Sequence, residues 1–100
     1  MPKSTPKTYI IESKTVRHSH KGMQKDGETI VWIKFDSPIA NFRYAVKQIT
    51  RLIAHTHVSY TIYRRLEGSE HKQILFKAKW VNDGMPHIEY TELGTSLLNL

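Results

Sequence analysis

At 100 residues, with 39% hydrophobic and 24% charged positions, the chain has the composition of one small globular domain and too little material for a second core. No apolar run reaches the roughly 18 residues of a membrane span, and the basic opening lacks the apolar stretch of a secretory signal; an intracellular, cytoplasmic protein is therefore expected. Zero cysteines exclude disulfides, thiolate zinc ligands and a thiol nucleophile, while fifteen Lys and Arg against nine Asp and Glu give a net charge of +6.

Residues 1–7 hold two prolines and no apolar periodicity, so they read as a flexible basic arm before a single domain over residues 8–100. Residues 8–16, with Tyr9, Ile10, Ile11 and Val16, read as a strand. The polar stretch 18–27 ends in Asp26-Gly27, a hairpin turn signal. Residues 29–35 read as the second strand, and alternation would set Thr29, Val31, Ile33 and Phe35 on one face with Ile30, Trp32 and Lys34 on the other.

Ser37-Pro38 then opens a helix, Ser as the cap and Pro in the first turn where its missing N–H costs nothing. Ile39, Phe42, Val46, Ile49 and Ile53 recur at steps of three and four, which predicts an amphipathic helix to about His57. Strands are expected over 58–66, 72–81 and 86–91. They are separated by turns at 67–70 and 82–84, and residues 93–100 form a short helix or an apolar tail. Alternation puts Ile74, Phe76, Ala78 and Trp80 on the core side of the fourth strand, opposite Gln73, Leu75, Lys77 and Lys79. The order ββαβββ predicts an α+β fold: an antiparallel sheet of about five strands packed on one amphipathic helix. Phe42, Val46, Ile49 and Ile53 should meet Ile33, Phe35, Ile62, Phe76 and Trp80 in the core.

Charge is unevenly laid out. Residues 1–25 carry six bases against Glu12 alone, and residues 37–66 carry Arg43, Lys47, Arg51, Arg64 and Arg65 with no acid. Arg43, Lys47 and Arg51 recur every fourth residue and so form one basic helix stripe. On the open sheet face the alternation would expose Trp32, Lys34, Tyr63, Arg65, Lys77 and Lys79. Cations neutralise phosphates and exposed aromatics stack on unpaired bases, so these nine residues are the candidate nucleic-acid contacts.

Other chemistry finds little footing. His18/His20 and His55/His57 are spaced two apart, but neither pair has evident third and fourth ligands, so no metal or other cofactor is expected. His57-Val58-Ser59 fits the His-x-Ser/Thr element of two-histidine phosphoesterases, which need a second copy that this chain lacks. There is no Gly-x-Ser-x-Gly elbow, no Gly-rich phosphate loop and no evident carboxylate pair. A non-enzymatic protein is expected.

Residues 37–81, in the order helix, strand, turn, strand, resemble the double-stranded RNA-binding domain in topology. Glu67-Gly68-Ser69-Glu70-His71 followed by Phe76 is similar to that family's Gly-x-x-His turn and strand aromatic. The resemblance implies an RNA-facing role for His71. The chain departs from the family in its N-terminal hairpin and in having no lysines after Gly94-Thr95-Ser96. The expectation is a small basic protein that binds nucleic acid of unspecified type; the alternative is an effector that docks on a larger, acidic protein and modulates it.

Overall fold

The computed structural model describes residues 9–18, 24–53, 58–79 and 87–99. Within them the chain runs β1 (Tyr9–His18), β2 (Gln24–Trp32), α1 (Pro38–Ile53), β3 (Val58–Leu66), β4 (Lys72–Lys79), β5 (His87–Tyr90) and α2 (Glu92–Leu98). The strands make one antiparallel sheet in the order β2-β1-β3-β4-β5. This is the expected α+β class with a second, short helix at its end. The first residues, the ends of the helix and strand expected at 54–57 and 80–81, Trp80 and the turn at 82–84 lie outside the described residues.

The helix stripe does what its spacing requires. Phe42, Ala45, Ile49 and Ile53 are buried against Ile11, Tyr60, Ile62, Phe76 and Ala78, with Val46 partly buried beside them. Ser37 caps the helix through its hydroxyl, which accepts the Ala40 N–H at 3.4 Å. From α2, Leu93, Leu97 and Leu98 join the same core, so both helices cover one sheet face. The α2 cap is Thr91, whose hydroxyl accepts the Gly94 N–H at 3.1 Å and donates to the Ile74 carbonyl at 2.7 Å.

Two bulges overturn two expected strand faces. Asp26-Gly27 is no turn; both residues lie inside β2. There Lys14 pairs with Thr29 and Val16 with Asp26, so Thr15 alone faces Gly27 and Glu28. The Thr15 hydroxyl replaces the missing ladder bonds, accepting the Glu28 N–H at 2.8 Å and donating to the Glu28 carbonyl at 3.3 Å. Beyond the bulge, Trp32 pairs with Ile11 and Ile30 with Ser13 on the helix side, and β2 ends at Trp32. Ile33 and Phe35 are therefore not core residues: they are 76% and 45% exposed. In β4 the register slips between Ile62–Phe76 and Tyr63–Ile74. The extra residue, Leu75, is fully buried and Ile74 is exposed, the reverse of simple alternation.

Candidate nucleic-acid interface

The expected residues fall into two separate groups, one on the helix side and one on the open face. On the helix side, Arg43, Lys47 and Arg51 are exposed along one side of α1, as their spacing requires. Arg43 donates to the Leu98 carbonyl at 3.1 Å, which fixes it between the two helices. Beside this stripe lies an open groove of about 540 Å³ whose walls include Phe35, Ile39, Arg43, Tyr44 and Lys47.

Phe35 reaches this groove because Asn41, buried in the first turns of α1, clamps its backbone. The Phe35 N–H donates to Asn41 Oδ1 at 2.7 Å, and Asn41 Nδ2 donates to the Phe35 carbonyl at 3.0 Å. The Phe35 ring meets Tyr44 edge-on at 5.8 Å, and Tyr44 meets Trp32 edge-on at 5.9 Å. Lys34 lies over this pair, its Nζ 4.4 Å from the Tyr44 ring centre and 5.8 Å from that of Phe35. Aromatic surface ringed by three cations is the composition of a stacking groove. Asp36 is the one carboxylate in the sequence between Glu28 and Glu67.

Trp32 is a correction. It was expected on the open face, yet it packs beneath α1 with its Nε1–H donating to Ser13 Oγ at 2.9 Å. The groove aromatics, Phe35 and Tyr44, were missed in its place. Their signal was faint: Phe35 closes the expected second strand between two charges, three residues past the observed end of β2, and Tyr44 adjoins Arg43 off the apolar stripe.

The open face keeps Tyr63 and Arg65, but as members of a closed network. Tyr63 is only 3% exposed and Glu12, paired across from it, 6%. The Tyr63 hydroxyl donates to Glu12 Oε2 at 2.7 Å. Arg65 donates to Glu12 Oε1 through Nε at 3.1 Å and forms an ion pair with the same oxygen through Nη2. Lys72 covers the Tyr63 ring at 4.7 Å. The Arg65 guanidinium holds the Glu12 carboxyl below its ordinary value against the opposing effect of burial, with help from the Tyr63 hydroxyl. Burial, then the bond to Glu12, pushes the Tyr63 phenol up to about 12. A phenol so covered offers no ring face for stacking.

Lys77 and Lys79 are exposed near the opposite sheet edge, where a shallow cleft of about 480 Å³ also includes His87 and Glu89. His71 is exposed in the β3–β4 turn, its N–H donating to Ser69 Oγ at 3.1 Å. His20, His55 and His57 lie outside the described residues; among those described, no three His, Asp or Glu side chains are placed to share a metal ion. No described helix is long and apolar enough to cross a membrane. No family model matches the sequence, and no curated protein or solved structure matches it either.

Proposed function

We propose that the protein binds single-stranded nucleic acid without catalysis, in the groove between Phe35 and α1. The reading is carried by one observation: Phe35, 45% exposed and backbone-clamped, beside Tyr44 and flanked by Lys34, Arg43 and Lys47. A preset ring loses little freedom when a base stacks on it, and the three cations suit phosphates on either side. Arg51 extends the phosphate track one turn along α1. Lys77 and Lys79, on a different face, are outside this track.

Fluorescence polarisation with labelled single strands and duplexes over a salt series tests it. Base–aromatic stacking is worth about 1–3 kcal/mol, so Phe35→Ala should weaken single-strand binding by roughly 5- to 150-fold and spare duplexes. Reversing Arg43, Lys47 and Arg51 to Glu should flatten the salt dependence by about 0.7 per lost phosphate contact. Tyr63→Phe should leave binding unchanged. Wild-type affinity no tighter than about 10⁻⁴ M at physiological salt would refute the proposal, and stoichiometric capture of an acidic protein would then favour an effector role.

A further inference from the structure

Among the described residues, the largest cluster of exposed apolar side chains lies at one sheet edge. Ile30, Val31, Ile33 and Phe35 are 36%, 46%, 76% and 45% exposed, and they follow one another along the outer strand and its exit. Among the described residues no strand pairs with the outer side of β2. Every second residue of an edge strand leaves its N–H and C=O unpaired, and an apolar edge of this kind is a template for another strand.

We propose that residues 29–33 pair antiparallel with the same residues of a second copy of this chain, about a twofold axis at Val31. The sequence there, Thr29-Ile30-Val31-Trp32-Ile33, is uncharged in a chain of net charge +6. Pairing through α1 would bring Arg43, Lys47 and Arg51 of the two copies together, and the other edge strand, β5, offers only four residues, one of them Glu89. Centring on Val31 places Val31 on Val31, Ile30 on Trp32 and Thr29 on Ile33, apolar against apolar or β-branched at every step. It also brings Glu28 of each copy toward Lys34 of the other, twice by symmetry, and both residues are exposed. The bulge at Gly27 and Glu28 ends the pairing on one side; on the other, β2 itself ends at Trp32, and Ile33, one residue past it, is the last the joint uses. The pairing shares Lys34 with the proposed groove, so its test is made without nucleic acid. An antiparallel edge joint has its twofold axis perpendicular to the sheet, so both copies of α1, with their grooves, lie on one side of a ten-stranded sheet.

Sedimentation equilibrium over a concentration series reads the association directly, without nucleic acid. The wild type should rise from 11.7 kDa toward twice that mass. Val31→Lys opposes two lysines at the axis and should weaken association by about tenfold or more, with circular dichroism unchanged because Val31 lies outside the core. Glu28→Lys and Lys34→Glu each oppose like charges, so each alone should weaken association, while an equal mixture should form the heterodimer. That restoration tests the register and holds even if Val31→Lys folds poorly. A wild type that stays at 11.7 kDa at its highest soluble concentration overturns the proposal. So does a mixture that associates no better than its components; association that survives Glu28→Lys and Lys34→Glu singly would place the contact elsewhere.

Discussion

Gly94→Ala sets helix propensity against packing, and the two disagree about the sign. Gly94 is the third residue of α2, where propensity favours Ala over Gly by about 1 kcal/mol. But Gly94 is buried on β4, and a Cβ built there would lie 2.0 Å from the Leu75 carbonyl oxygen and 2.9 Å from its carbon. These are backbone atoms of a bulge that cannot rotate aside. The same oxygen accepts the Thr91 N–H at 3.1 Å and the Thr91 hydroxyl at 3.2 Å, so moving α2 away also breaks its cap. Overpacking costs about 1–3 kcal/mol and a lost cap about 0.5–2. Set against the propensity gain, the net loss is about 0.5–4 kcal/mol, or a melting temperature lower by roughly 2–20 °C for a domain of this size. Thermal and urea unfolding should agree. A second consequence is local: α2 carries the Leu98 carbonyl that holds Arg43, so groove affinity should fall with stability. An unchanged or raised melting temperature would mean that α2 does not sit against Leu75.

The core assignment separates Ile49 from Ile33. Ile49→Ala, at a fully buried position, should cost about 2–5 kcal/mol, while Ile33→Ala, measured at low protein concentration, should stay within about 0.5 kcal/mol. Equal effects would restore Ile33 to the core. Acid unfolding should report Glu12: its carboxyl lies below the ordinary 4.5 in the folded chain, so its contribution is present above that value and is lost as pH falls through the folded value. Glu12→Gln should therefore flatten the acid limb of the stability profile, and an unaltered limb would count against the network. Tyr63, raised from 10.0 to about 12, contributes below pH 10 and loses that contribution as pH rises through 12. In an ultraviolet titration Tyr63→Phe should remove a phenol ionisation near pH 12.

Periodicity made the helix legible because the pattern is one-sided: apolar at steps of three and four, basic at steps of four on the other flank. The sheet was harder because β2 is apolar on both faces. Thr29, Val31, Ile33 and Phe35 form one apolar row, and Ile30 and Trp32 another, so alternation alone leaves the choice of inner row open. In β3, Tyr60 and Ile62 behaved as alternation requires, but Tyr63 on the opposite face is buried as well, under Lys72 and against Glu12. Nothing local to Tyr63 signals this, since Glu12 is 51 residues away in sequence. Leu75 escaped for a related reason. A bulge adds one residue to a strand without marking it in composition, and the contact that fixes this one comes from Thr91.

The location of the aromatic groove follows from the bulge in β2. The hairpin end pairs His18 with Gln24, Arg17 with Lys25 and Val16 with Asp26. Continued without interruption, that ladder would set Ile11 opposite Val31, turn the row Thr29, Val31, Ile33, Phe35 toward the helix and leave Trp32 on the open face. One extra residue in β2 shifts the pairing so that Ile11 meets Trp32 instead. The alternate site is thereby dismantled: Trp32 goes under α1, and Tyr63 is left with Glu12 and Lys72. The same shift puts Phe35 out of the core at the start of α1, where Asn41 can hold its backbone and Tyr44, itself braced by Trp32, stands beside it. Gly27 makes the shift possible, because a Cβ there would lie 2.0 Å from Thr15 Oγ1, the atom that bonds both backbone groups of Glu28. A glycine and a threonine in the N-terminal hairpin thus decide which aromatic rings the basic helix stripe has for neighbours.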